Sequence, residues 1–109
     1  MILSIDTTDS SVTKVVLHTN ESAIVMREKT DHTKSQNLLP LIERLLEREN
    51  VDFQQLTGIT VAIGHGSFTG IRVGVSVANA LGWVLTIPVN GNKPPVVPTY
   101  DPSVFDQNP

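Results

Sequence analysis

Between Ile59 and Pro88 the chain passes from a strictly alternating run through the loop GHGSFTG, residues 64–70, into an apolar segment that ends at proline. Ile59, Val61 and Ile63 alternate with Thr60 and Ala62, the period-two signature of a strand. The segment after the loop is too long for a strand, so the glycine loop must turn a strand into a helix. In that helix Gly70, Gly74, Ala78 and Gly82 recur every four residues, and Arg72, Ser76, Asn79 and Trp83 form a separate stripe. Glycine inside a helix costs about 0.8–1 kcal/mol relative to alanine. Small residues at this regular spacing are therefore expected where another backbone approaches closely. Ser67 or Thr69 is the expected N-cap. A membrane span needs roughly 20 apolar residues. The run from Val73 to Ile87 is shorter and is broken by Ser76, Asn79, Gly74 and Gly82, which predicts a buried helix.

Upstream, MILSID reads as a buried strand, TTDSS as a turn of short polar side chains that bond to nearby backbone, and VTKVVLHT as a second strand. In that second strand Val12, Lys14, Val16 and His18 face one way and Thr13, Val15 and Leu17 the other. NES turns into a third strand, AIVMREKT, completing an antiparallel meander. The period then changes. SQNLLPLIERLLEREN has the three-to-four spacing of an amphipathic helix, with Pro40 either in its first turn or kinking it. Leu38, Ile42 and Leu45 lie beside Leu39 and Leu46, and Leu41 widens this apolar stripe, which predicts two packing partners rather than one, while Glu43, Arg44, Glu47 and Arg48 make the wet face. VDFQQLTG is a connector with room for one helical turn, and PVNG reads as a short last strand. The order β-β-β-α-β-α-β predicts an α/β fold: a mixed five-stranded sheet with both long helices on one face. Residues 1–91 make this one domain. Residues 92–109 hold five prolines in eighteen residues with no period, and read as a tail, extended or disordered unless a partner orders it.

The remaining chemistry is sparse. A net charge of −3 gives no electrostatic footprint for nucleic acid or for an anionic membrane. There is no cysteine, and His18, His32 and His65 form no HExxH or HxxxH pair, so neither metal nor cofactor is expected. The N-terminus lacks a basic region followed by an apolar stretch, which makes the cytoplasm the expected compartment. GHGSFTG also fails as a Walker loop, because Gly70 is followed by Ile71 and Arg72 rather than by lysine and a hydroxyl. Ser67 lacks the frame of a nucleophile elbow. Asp9, Asp31 and Asp52 fall in turns and read as caps. The loop is thus expected to be structural: Gly64 and Gly66 turn the chain sharply, Phe68 plugs the strand–helix junction, and Gly70 starts the ridge of small residues. Arg72 is the charge there expected to have a specific partner, either an internal carboxylate or a group on another subunit.

SFTGIRVG after a strand, with NLLPLIERLL upstream and ILSIDTT at the start, resembles the TsaB (YeaZ) family of the actin/Hsp70/sugar-kinase superfamily. Gly64, Gly66, Ser67, Phe68, Thr69, Gly70, Ile71, Arg72 and Gly74 fit its motif, and His65 stands where the family usually has proline. The resemblance covers residues 1 to about 91 and implies an actin-like (ribonuclease H-like) N-terminal subdomain. Family members continue into a second such subdomain, so the chain is expected to be a minimal natural homologue or a piece cut at the domain boundary.

The resemblance also implies a role in making threonylcarbamoyladenosine in tRNA. The expected role is that of a non-catalytic scaffold that pairs with the catalytic paralogue TsaD, with a TsaE-like ATPase in the same complex. Without TsaD, the surface could pair with a second copy of this chain. No direct nucleic-acid or membrane contact is expected. The pairing surface would come from the two helices, through Leu38, Leu41, Leu45, Arg72, Gly74, Ala78 and Gly82. Asp6, Thr7 and Thr8 resemble the superfamily's first phosphate loop and would be vestigial here, since the second half of the cleft lies in the other subdomain. Two alternatives stay open: a nucleotide-binding or phosphotransferase half-domain that completes its cleft by oligomerising, and a regulatory module whose proline-rich tail docks on a partner. The sheet face opposite the helices, with Thr60 and Ala62, is expected to be polar or in contact with something.

Overall fold

A computed structural model describes residues 1–30 and 34–97. Strands β1 (Ile2–Asp6), β2 (Val12–His18) and β3 (Ala23–Lys29) form the expected meander, and α1 (Lys34–Arg48), β4 (Gly58–Val61) and α2 (Phe68–Leu85) follow. The connector before β4 holds one 3₁₀ turn at Phe53–Gln55, closed by the Asp52 N–H donating to Gln55 Oε1 at 2.8 Å. The sheet order is β3-β2-β1-β4, with β4 parallel to β1 and the other pairs antiparallel.

Register explains the core. Leu3 stands between Leu17 and Ile59, and Ile5 between Val15 and Val61, so six aliphatic side chains share one face. Both helices cover that face, α1 over β2 and β3 and α2 over β4 and β1, and they touch each other. The wide stripe of α1 therefore does have two partners, the sheet and α2. Pro40 lies inside α1 but on its exposed side.

The ridge of small residues lets α2 lie close to the sheet. A Cβ on Gly74 would stand 2.5 Å from Thr7 Oγ1 and 3.3 Å from Val61 Cγ2; one on Gly82 would stand 2.6 Å from Val89 Cγ2. Close approach is thus the reason for the glycines, by backbone at Gly70, where the Thr7 carbonyl intervenes, but chiefly by side chains at Gly74 and Gly82, and the approaching groups belong to the same chain. By length and composition α2 could cross a membrane. Its buried residues, Ile71, Val75 and Ala78 with the three glycines, are packed on the sheet instead.

Two expectations are corrected. Among the described residues the sheet has four strands: PVNG contributes an isolated parallel bridge from Val89 to Ile59. Asn90 then takes a positive φ of 51°, and the chain reverses through Val89–Asn92 hydrogen bonds, so no strand can continue. The Asn90 side-chain amide completes the edge, accepting from the Val61 N–H at 2.8 Å and donating to the Val61 carbonyl at 3.1 Å. The segment read as a tail is also packed as far as Val96. Asn79 of α2 accepts from the Val96 N–H and donates to the Val96 carbonyl, both at 2.8 Å. Gly82 again matters there, since Pro94 lies beside it.

The core arrangement sets the expected stability effects. Leu41→Ala should cost about 2–5 kcal/mol in urea unfolding. Gly74→Ala should also destabilise despite its gain in helix propensity, because the new methyl meets Thr7. Ser76→Ala, on the exposed side of the same helix, should stay within about 0.5 kcal/mol.

Candidate functional site

The loop 64–70 meets the turn after β1. Gly64 and Gly66 have φ of 100° and 120°, backbone that favours glycine, and so turn the chain as the sequence suggests. A Cβ on Gly66 would stand 2.6 Å from both the Cβ and the carbonyl oxygen of Thr8. The Ser67 N–H donates to the Thr8 carbonyl at 2.7 Å, and Ser67 Oγ caps α2 by accepting from the Gly70 N–H at 3.1 Å. Thr7 is fully buried and its hydroxyl donates to the Gly70 carbonyl. A Cβ on Gly70 would overlap the Thr7 carbonyl.

The three residues that resemble a phosphate loop are therefore bonded to one another and to α2. Thr7 has no exposed surface, and Asp6 Oδ1 accepts from the Thr8 N–H at 3.0 Å and the Thr8 hydroxyl at 2.6 Å. Asp9 forms the same kind of turn with Ser11, at 2.8 Å and 2.7 Å. No three His, Cys, Asp or Glu side chains gather among the described residues. Asp31 and His32 lie outside those residues.

The partner surface has to be redrawn. Leu38, Leu41 and Leu45 are 0–1% exposed, Ala78 is fully buried, and Gly74 and Gly82 face the sheet. All six belong to the chain's own core, because a helix on an open sheet uses its apolar stripe for the sheet first. Phe68 does not plug the junction either. It is 39% exposed and lies beneath Arg72, whose guanidinium carbon is 5.6 Å from the ring centroid, a cation–π contact. What α2 offers outward is Phe68, Thr69, Arg72, Ser76, Ala80, Trp83 and Val84, with Trp83 70% and Val84 75% exposed. Thr69, Arg72, Val73, Ser76 and Val77 line an open depression of about 380 Å³ on this side. A second hollow, about 520 Å³, lies at the C-terminal end of α2 between Trp83, Ile87, Pro88 and Pro94. On α1, Leu39 is 41% exposed, and Arg44 pairs with Glu28 of β3.

Sequence reasoning missed Asn79 and Asn90 as backbone clamps. Asparagine in an otherwise apolar helix, and Asn-Gly after a would-be strand, were the signals. On the far side of the sheet, Ser4 Oγ is 2.5 Å from Thr60 Oγ1 and 2.9 Å from His18 Nε2. That face is polar only in part, because Val16, Val25 and Ala62 lie beside this row.

Residues 14–91 match the family model described as TsaD, tRNA N6-adenosine threonylcarbamoyltransferase. The chain is 34% identical over 91 residues to the tRNA threonylcarbamoyladenosine biosynthesis protein TsaB of Bacillus subtilis, covering 82% of this chain and 39% of that one. Against the protein of the same name from Haemophilus influenzae the identity is 28% over 88 residues, covering 81% and 37%. The solved structure of YeaZ from Pseudomonas aeruginosa superposes with a TM-score of 0.76 at 30% identity, covering 81% of this chain and 41% of that one. The chain thus spans about two fifths of the length of these relatives. A strand–glycine loop–helix joint, a ridge of small residues beneath the second helix and these matches together make the chain a member of the TsaD/TsaB (YeaZ) family.

Proposed function

We propose that this chain is a non-catalytic, partner-binding subunit of the machinery that forms threonylcarbamoyladenosine on tRNA, and that its partner is a TsaD-like paralogue. Family membership and the biosynthetic role for which the TsaB relatives are named support the pathway. The outer face of α2 supports the partner. Arg72 stacked on Phe68, with Trp83 and Val84 more than two thirds exposed on the same helix, is the single observation that carries the reading. Aromatic residues and arginine are the types enriched in protein interfaces and at their hot spots. The non-catalytic part rests on the joint below that helix, where the threonine hydroxyls of the first turn are already engaged. A TsaE-like ATPase would join the same complex. Because tRNA is modified where it is made and used, the chain acts in the cytoplasm.

Size-exclusion chromatography with light scattering tests the pairing. The chain should elute as a 1:1 complex with a TsaD-like protein, and Trp83→Asp or Arg72→Glu should weaken that complex by at least about tenfold, the range of an interface hot spot. A dimer of this chain that a TsaD-like protein does not dissociate, or a monomer that ignores it, would contradict the proposal. Thr7→Val should leave pairing intact while costing about 1–2 kcal/mol in thermal unfolding, through the lost hydrogen bond to Gly70.

A further inference from the structure

Residues 94–97 run along the outside of α2 in a defined direction. Pro94 lies beside Gly82, and Asn79 clamps the Val96 N–H and carbonyl, so the segment travels toward the start of the helix, antiparallel to it. Its exposure alternates, Pro94 and Val96 half-buried and Pro95 and Val97 exposed, which is the period of an extended chain. Arg72, Ser76 and Asn79 are spaced by four and three residues and so share one stripe of α2. A chain leaving Asn79 in this direction meets Ser76 and then Arg72. It arrives at the open depression of about 380 Å³ that Thr69, Arg72, Val73, Ser76 and Val77 line.

Arg72 rests on the Phe68 ring, and neither salt bridge among the described residues includes it. The depression thus offers a cation beside the apolar surface of Val73 and Val77. The next residues of the chain, PTYD at 98–101, lie outside the described residues, and their sequence suits that place. From Asn79 to Arg72 the helix runs about 10.5 Å, at about 1.5 Å per residue. From Val96 to Tyr100 an extended chain runs about 12–13 Å, at about 3.1–3.3 Å per residue. The alternation that turns Pro94 and Val96 to the helix turns Pro98 and Tyr100 the same way. Pro98 and Pro102 bias the residues before them, Val97 and Asp101, to extended backbone. Asp101 brings the opposite charge to the neighbourhood of Arg72.

We propose that residues 98–101 continue this strap along α2, with the Tyr100 ring in the depression and the Asp101 carboxylate on the Arg72 guanidinium. In the free chain the occupant of this end of α2 is therefore the chain's own C-terminal segment. A second copy or another protein competes there with a segment already tethered about one helical turn away, at an effective concentration on the order of millimolar. A partner that docks on α2 must displace the strap. That this partner is a TsaD-like protein rests on the function proposed above; the docking of the strap does not.

The chain has no cysteine, so a single Ser103→Cys substitution carries a spin label without background. In the labelled full chain, the amide resonances of Thr69, Arg72, Val73 and Ser76 should broaden strongly, and those of Trp83, Val84 and β3 should not. Asp101→Lys, a change outside every described element, should abolish the broadening. Combining it with Arg72→Glu should restore it, since the swap keeps the pair and reverses its sign. Weak broadening spread evenly over the surface, broadening centred elsewhere, or broadening that survives Asp101→Lys would overturn the proposal, as would a charge swap that restores nothing. With a TsaD-like protein, Asp101→Lys should bind severalfold more tightly than the unmodified full chain, because the strap no longer reduces the competent fraction. Equal affinities would contradict the competition. Loss of the label effect with pairing intact counts against the strap alone, and loss of pairing with the label effect intact counts against the proposed function alone.

Discussion

The close approach of the turn after β1 to the first turn of α2 sets the rest of the architecture. Thr7 sits between them with no exposed surface, its hydroxyl on the Gly70 carbonyl and its Oγ1 where a Cβ on Gly74 would lie. Ser67 and Thr8 join the same two segments through backbone. With that contact in place α2 must run along β1 and β4 at short range, and the ridge of glycines becomes a requirement of packing. The long apolar helix, free to be a membrane span by composition, is thereby fixed as the core helix of an α/β layer.

Once the inner stripes are used, two surfaces are left with something to offer, and they differ in chemistry. The outer side of α2 is aromatic and aliphatic around a single arginine, suited to a protein surface that excludes water. The outer side of the sheet sets hydroxyl and imidazole groups beside Val16, Val25 and Ala62, with hydrogen bonds already linking β1, β2 and β4. The segment packed against α2 through Asn79 and Pro94 limits the first surface at one end.

Much of the fold was legible because period and turn chemistry agree. Alternation gave β1 to β4, the leucine spacing gave α1, and Gly64, Gly66 and Ser67 gave the joint. The fifth strand was not legible. Only the positive φ of Asn90 and the reversal after it end pairing at Val89, and these depend on how Asn90 meets Val61 in space. The candidate site was read less well, for a related reason. A stripe of leucines marks what a helix buries but not against what. Here the sheet claims Leu38, Leu41 and Leu45, and the residues left outside are Trp83, Val84 and Phe68.

The central claim is that the joint between 6–8 and 64–70 is a structural contact rather than a phosphate cradle. Isothermal calorimetry with magnesium and ATP tests it most directly. The account predicts no saturable heat for the chain, with Asp6→Ala behaving alike. Magnesium-dependent binding of ATP that disappears on Asp6→Ala would contradict it and favour a nucleotide-binding half-domain.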